Sequence, residues 1–102
     1  MIARCRKSRA DYPDGVLAIY DNGGRTSDRY SVVYAPFTAA GREYYPTLSM
    51  SERPMHPQGV GLRGEYYPRP TRLPGERLIA FAALPDECRA CVISDLAVEG
   101  GE

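Results

Sequence analysis

Apolar runs bounded by turn residues organise the first third of the chain. Residues 16–20 (VLAIY) are apolar and stop at residues 21–24 (DNGG), where Asn and Gly accept positive φ. Residues 30–35 (YSVVYA) are β-branched and aromatic and are followed by Pro36. The pattern predicts a β-hairpin, joined either by a tight turn within residues 21–24 or by a wider loop that continues through residues 25–28.

The middle of the chain predicts one more strand and then a long loop. Residues 42–45 (REYY) have the composition of a strand that ends at Pro46. Residues 49–75 are rich in proline and glycine and show no sustained period of about 2 or 3.6. We therefore expect a long Pro/Gly-rich loop over residues 49–75, and such a loop in a small domain is typically functional.

Regular structure is predicted again towards the C-terminus. Residues 77–83 (RLIAFAA) have the composition of a strand, and Pro85 followed by two acids is typical of a helix start. We predict a helix over residues 85–98 and a flexible tail over residues 99–102. Spacings of three and four place one set of apolar side chains on a single face of this helix: Leu84, Cys88, Cys91, Val92 and Leu96.

These elements predict a small α+β domain. A chain of 102 residues forms one domain with a modest core, and its 43% apolar and 25% charged residues are those of an ordinary globular protein. The expected fold is a small antiparallel sheet, made of the N-terminal hairpin and one or two further strands, packed against the C-terminal helix. The composition excludes collagen and a fully disordered chain, and no run approaches about 18 apolar residues, so no membrane association is expected.

Charge is balanced in total but segregated along the chain. The 13 basic and 13 acidic residues cancel, yet Arg4, Arg6, Lys7 and Arg9 give the N-terminus a strongly basic start. A basic arm over residues 1–12 is therefore a candidate for binding phosphates, with exposed tyrosines stacking on bases. Because zero net charge argues against a general polyanion binder, nucleic-acid binding is the alternative hypothesis.

The cysteines indicate the compartment and one possible metal site. Three cysteines are an odd number, and the basic start lacks the apolar run of a secretion signal, so we expect a reducing cytoplasm. Cys88 and Cys91 form a C-x-x-C pair, and with Cys5 and His56 they make a nominal zinc set, although only the pair has local ligand spacing. The interpretation we favour is that both helix cysteines are small apolar core residues, with no metal and no cofactor.

Two further constellations carry weak chemical signals. His56 lies among prolines with no serine, cysteine or acid at a spacing typical of a general base, so an enzyme is not predicted. Residues 21–28 (DNGGRTSD) lack the alternating oxygen ligands of a calcium loop, and no helix follows them as a phosphate-binding loop requires. A hairpin connection is the better interpretation of that segment.

A repeated tetrapeptide is the most distinctive local feature. Residues 43–46 (EYYP) recur as residues 65–68, and adjacent tyrosines on a strand point to opposite faces. Arginine supplies 12 of the 13 basic residues, and Tyr and Arg are the types that contribute most at interfaces. The predicted binding surface comprises Tyr44, Tyr45, Arg63, Tyr66, Tyr67, Arg69 and Arg72.

Several motifs follow one another in a recognisable order. They are residues 19–24 (IYDNGG), 28–30 (DRY), 32–33 (VV), 50–54 (MSERP), 57–61 (PQGVG), 75–79 (GERLI) and 84–85 (LP), with Thr26 between the first two. Across about residues 19–96 this order resembles a small uncharacterised family of bacteriophage and mobile-element proteins. The resemblance carries no catalytic signature. It implies a bacterial or phage origin, a cytoplasmic location and an α+β fold.

Together, the resemblance and the Tyr/Arg set lead to one hypothesis. We expect a non-enzymatic protein that binds and modulates a host macromolecule, such as a defence or regulatory protein of the bacterial host. The alternatives are a nucleic-acid-binding module and a zinc or thiol protein using Cys88 and Cys91.

Overall fold

The computed structural model describes residues 11–67 and 69–100, with the backbone alone described for residues 98–100. The four basic residues of the predicted arm, Cys5 and the last two residues of the predicted tail lie outside this range. The elements in chain order are β1 (Val16–Asp21), β2 (Tyr30–Tyr34), β3 (Phe37–Ala39), β4 (Arg42–Met50), β5 (Gly61–Tyr66), β6 (Arg77–Leu78) and helix α1 (Asp86–Gly100).

The strands form one antiparallel sheet, which confirms the predicted α+β class. Five strands lie side by side in the order β5, β4, β2, β1, β6, and β3 pairs with the first part of β4. The β2–β4 ladder ends at Val33 opposite Thr47, and the β3–β4 ladder resumes at Phe37 opposite Tyr44. Between these two pairs the chain advances four residues from Val33 to Phe37, while β4 covers three residues from Thr47 to Tyr44. The pairing along β4 is therefore irregular where Pro36 and Pro46 lie.

One face of the sheet packs against α1 and holds the main core. The β1–β2 register shifts between Val16 and Ala18, and the extra residue brings Val16 and Ile19 to the same face. Their neighbours in this core come from β2, β4, the helix and the residue two positions before it, and are Val32, Met50, Cys88, Val92 and Leu84, all less than 3% exposed. The opposite face holds a smaller buried cluster of Ala18, Tyr20 and Val33, against which Tyr45 packs.

Helix α1 agrees with its predicted face and begins one residue later than predicted. The Pro85 carbonyl accepts the first helical hydrogen bond from the Arg89 N–H at 3.0 Å, so Pro85 caps the helix that begins at Asp86. Leu84, Cys88 and Val92 are buried in the core, and Cys91 and Leu96 pack against it. Backbone helix continues to Gly100 and includes the first two residues of the predicted tail.

The prediction of a loop throughout residues 49–75 is wrong, because β4 continues to Met50 and β5 occupies residues 61–66. Strand β4 also runs through Pro46, where a stop was predicted. Pro46 lies beyond the last β2–β4 pair, so its missing N–H falls where that ladder is already interrupted. The strand predicted over residues 77–83 is shorter, with Arg77–Leu78 in β6 and a 3₁₀ turn at Phe81–Ala83.

The connection between β1 and β2 is the wider of the two predicted loops. Asn22 organises it, because its Oδ1 accepts the backbone N–H groups of Gly24 at 2.8 Å and Arg25 at 3.1 Å. Asp21 Oδ1 accepts the Gly23 N–H at 2.7 Å. The acids and amides of residues 21–28 are thus engaged in holding a hairpin loop.

Candidate functional site

The two Tyr-Tyr dipeptides of the repeated motif face each other across the β4–β5 hairpin. Tyr45 is paired with Tyr66 in the ladder, and one step further along the same register the rings of Tyr44 and Tyr67 lie with centroids 6.0 Å apart. The repeat is therefore a cross-strand arrangement, with each tyrosine of one dipeptide opposite a tyrosine of the other.

Tyr44 and Tyr67 belong to a larger group at the surface of the sheet that we call the aromatic patch: Phe37, Arg42, Tyr44 and Tyr67. The Phe37 ring packs on Tyr44 at 5.9 Å between centroids, because β3 pairs these two residues directly. The Arg42 guanidinium lies 5.1 Å from the Tyr67 ring centroid, within cation–π range. Phe37 and Tyr67 are 40% and 55% exposed, so the patch presents ring surface to solvent.

The other two tyrosines lie on the opposite face of the sheet. Tyr45 is half-buried and packs against the cluster of Ala18, Tyr20 and Val33. Tyr66 is 48% exposed, and its ring covers Gly64 of its own strand, at 3.0 Å from where a Cβ would stand. The predicted alternation of adjacent tyrosines is observed, and it divides the predicted tyrosines into two separate surfaces.

The three predicted arginines do not join the aromatic patch. Arg63 forms an ion pair with Asp95 on α1, and its guanidinium lies 5.6 Å from the Tyr34 ring. Arg69 and Arg72 are exposed in the segment before β6, where Arg72 donates a hydrogen bond to the Glu76 carbonyl at 3.0 Å.

Two patch residues, Phe37 and Arg42, were not predicted. Their signal is the turn between them, where Ala40 and Gly41 both have positive φ and reverse the chain. With that reversal, Phe37 comes opposite Tyr44 and Arg42 opposite Ala39. Recognising the turn in the sequence would have placed Phe37 beside Tyr44.

A second feature is a polar cleft of about 390 Å³ between the β1–β2 loop and the β4–β5 loop. Its wall holds Arg29, whose guanidinium donates to both Asp21 carboxylate oxygens at 2.7 and 3.1 Å and to Glu52 at 2.6 Å. The hydrogen bonds from Arg29 lower the pKa of Asp21, which is 4% exposed. The ion pair of Arg29 with Glu52 links the β1–β2 loop to the β4–β5 loop.

His56 also borders the cleft and is exposed. Its Nδ1 accepts the Gln58 backbone N–H at 3.1 Å, which places the ring proton of the neutral imidazole on Nε2. The His56 ring thereby stabilises the turn of the β4–β5 loop, which is a structural role.

The two helix cysteines belong to the core, as their spacing predicted: Cys88 lies in it and Cys91 packs against it. Cys88 is fully buried, and its thiol donates towards the Ser51 carbonyl at 3.3 Å. Burial, reinforced by the nearby Cys91, raises the pKa of Cys88 to about 12. Within residues 11–67 and 69–97, no three His, Cys, Asp or Glu side chains lie together as a metal site, and Cys5 lies outside those residues.

Comparison with protein-family models, curated proteins and solved structures gives no match for this chain. The part of the chain that the structure describes contains no helix long and apolar enough to cross a membrane.

Proposed function

We propose that this is a non-enzymatic binding protein that recognises a host protein through the aromatic patch and modulates it. The observation that carries the proposal is the contact of Tyr44 with both Phe37 and Tyr67, with the Arg42 guanidinium over the exposed Tyr67 ring. The resemblance to bacteriophage and mobile-element proteins supplies the bacterial cytoplasm as the setting and a host protein as the target.

The patch has the composition and the rigidity of a binding hot spot. Tyr and Arg dominate hot spots because each combines an apolar body with a directional polar group. Here the rings are held before binding, since Tyr44 is half-buried between Phe37 and Tyr67. Less side-chain entropy is then lost when a partner covers them.

The local charge favours a protein over a nucleic acid. Arg42 is the single cation of the patch, Arg63 on β5 is paired with Asp95, and Glu65 carries an exposed carboxylate on the face that holds Tyr67. A backbone of phosphates requires several cations along its path, and a carboxylate on the face of the stacking rings repels it. The nucleic-acid alternative rests on Arg4, Arg6, Lys7 and Arg9 and is separated from the protein alternative by the experiment below.

The experiment is affinity capture from a bacterial lysate, with and without nuclease treatment, and identification of the retained species by mass spectrometry. The full chain is compared with a patch double variant, Arg42→Ala with Tyr67→Ala. A matched control makes the same chemical changes off the patch, Arg69→Ala with Tyr66→Ala, because Tyr66 and Tyr67 are neighbours of similar exposure on opposite faces.

We expect the full chain and the control to retain the same protein and the patch variant to lose it. Equal retention by all three chains, or no specific retention, would contradict the proposal. Retention that disappears with nuclease, together with nucleic-acid binding that weakens steeply with salt, would replace it with the nucleic-acid alternative.

A further inference from the structure

Within residues 11–67 and 69–100, strand β5 is the outer strand of the sheet and is paired on one side. Among the described strands, β4 is its only neighbour. It carries two exposed apolar side chains, Leu62 at 65% and Tyr66 at 48%. An edge strand of six residues with exposed apolar side chains is a template for pairing with another chain.

The register of the hairpin identifies which backbone groups point outward. The Ser51 N–H donates to the Val60 carbonyl at 2.9 Å, and pairs in an antiparallel ladder alternate between bonded and non-bonded. Leu62 and Gly64 are therefore bonded to β4. Gly61, Arg63 and Glu65 direct their N–H and C=O groups away from it, towards the outer edge.

The side chains of β5 favour one register for pairing with a second copy of itself. Outward-pointing residues must pair with outward-pointing residues, so Gly61, Arg63 and Glu65 pair among themselves in several registers. Arg63 opposite Arg63 and Glu65 opposite Glu65 place like charges together and are unfavourable, and Arg63 opposite Gly61 forms no ion pair. Arg63 opposite Glu65 brings opposite charges together. It forms two Arg63–Glu65 pairs and two Leu62–Tyr66 pairs, and its two-fold axis passes through Gly64.

We propose that the protein forms a symmetric dimer by antiparallel pairing of β5 with β5 of a second copy, centred on Gly64. The charge pattern of the strand is self-complementary in this register and covers the exposed Leu62 side chain. Arg63 keeps its bond to Asp95, because a guanidinium has five N–H donors and is able to bond to more than one carboxylate.

The dimer leaves the aromatic patch accessible. Tyr67 comes opposite Gly61 of the second copy, which has no side chain to cover the ring. Because the two-fold axis is perpendicular to the sheet, the two patches face the same way. The dimer does not depend on binding of the host protein. A monomeric chain would overturn the dimer and leave the proposed function intact, and the reverse also holds.

Sedimentation velocity of the full chain over about 1–200 µM tests the pairing. We expect a species of twice the 11.3 kDa chain mass at the upper concentrations. Glu65→Arg faces Arg63 with a second arginine and is expected to weaken self-association about tenfold or more. The matched control, Glu43→Arg, makes the same charge change on β4 and is expected to leave self-association unchanged.

A mixing experiment tests the register itself. Glu65→Arg and Arg63→Glu each place like charges opposite in their own dimers, but a one-to-one mixture restores both opposite-charge pairs. We expect each variant alone to self-associate more weakly than the wild type and the mixture to regain wild-type association. If circular dichroism shows that Arg63→Glu is unfolded, Glu65→Pro is measured alone by sedimentation velocity instead, since it removes an outward N–H and should abolish the dimer.

Three results would overturn the dimer. They are a wild-type chain that stays monomeric across the range, equal self-association of Glu65→Arg and Glu43→Arg, and a folded mixture that does not associate.

Discussion

Tyr44 and Tyr67 lie with ring centroids 6.0 Å apart because β4 and β5 pair with Tyr45 opposite Tyr66. The contact joins residues 23 positions apart in the chain, so it depends on the hairpin being formed. The same register sends the other tyrosine of each dipeptide to the opposite face. One repeated motif thus contributes both to a small buried cluster and to an exposed patch.

Replacing Asp21 by Asn should destabilise the fold by about 2 kcal/mol, because hydrogen bonds to charged groups are among the stronger ones. Asp21 is 4% exposed and accepts bonds from Arg29 and the Gly23 N–H. Urea unfolding at neutral pH measures the change. Glu43→Gln on the exposed end of β4 is the control and should change the unfolding free energy by less than about 0.5 kcal/mol.

The Asp21–Arg29 ion pair also predicts that the free energy of unfolding depends on pH. The folded pKa of Asp21 is below its usual value of 3.8, so its contribution is full above about pH 4 and is lost as pH falls through the folded pKa. The difference in unfolding free energy between wild type and Asp21→Asn should therefore shrink from about pH 7 to about pH 2.5. A difference that stays constant over that range would show that the charge of Asp21 is not what stabilises the fold.

Cys88 should resist alkylation in the native protein. With its pKa raised to about 12, roughly one thiol in 10⁴ is ionised at about pH 8, and the side chain is fully buried. Cys91 is half-buried and should react faster than Cys88. Timed iodoacetamide labelling with peptide mass spectrometry measures both rates, with the chain in guanidinium as the control in which they converge. Equal native rates would contradict the core assignment.

Gly59→Ala should destabilise the β4–β5 loop by about 2 kcal/mol, within the usual range for overpacking. A Cβ at residue 59 would stand 2.1 Å from the Arg53 carbonyl oxygen, a backbone atom that cannot move aside. At Gly64 the nearest atoms belong to the Tyr66 ring, which is able to rotate. Gly64→Ala is thus the control, and thermal unfolding should place its Tm much closer to that of the wild type.

Tyr12→Phe should cost about 1–3 kcal/mol, because it leaves two backbone groups without their partner. The Tyr12 hydroxyl accepts the Ile19 N–H at 3.0 Å and donates to the Ile79 carbonyl at 2.7 Å, linking β1 to the segment after β6. Tyr45→Phe removes a hydroxyl whose bond to Glu43 is long, at 3.4 Å, and should be nearly neutral in urea unfolding. An unchanged free energy of unfolding for Tyr12→Phe would mean that the two hydrogen bonds of the Tyr12 hydroxyl do not stabilise the fold.

The elements that could be predicted are those with local signals. The first hairpin has apolar runs bounded by Asp21 and Pro36, and α1 has a proline, two acids and an apolar spacing of three and four. In both, the residues that specify the element lie within it. The packing of Cys88 in the core follows from that spacing alone.

Strand β5 could not be predicted because its own composition argues against it. Gly61 and Gly64 lower strand propensity, and Arg63 and Glu65 are charged, so no alternation of apolar and polar positions is visible. What holds the strand is its ladder with β4, a tertiary interaction. The arrangement of the predicted binding residues could not be foreseen for the same reason, since without β5 nothing indicates that Tyr44 meets Tyr67 or that Arg63 pairs with Asp95.

The central role of the aromatic patch is tested most directly by the dissociation constant of the complex between this chain and the captured host protein, measured by calorimetry. The compared chains are wild type, Tyr67→Ala and Tyr66→Ala. Loss of a hot-spot ring should cost about 2 kcal/mol, so Tyr67→Ala should bind about thirtyfold more weakly while Tyr66→Ala stays within about threefold of wild type. Equal affinities for Tyr67→Ala and wild type would contradict the assignment of the patch as the binding surface.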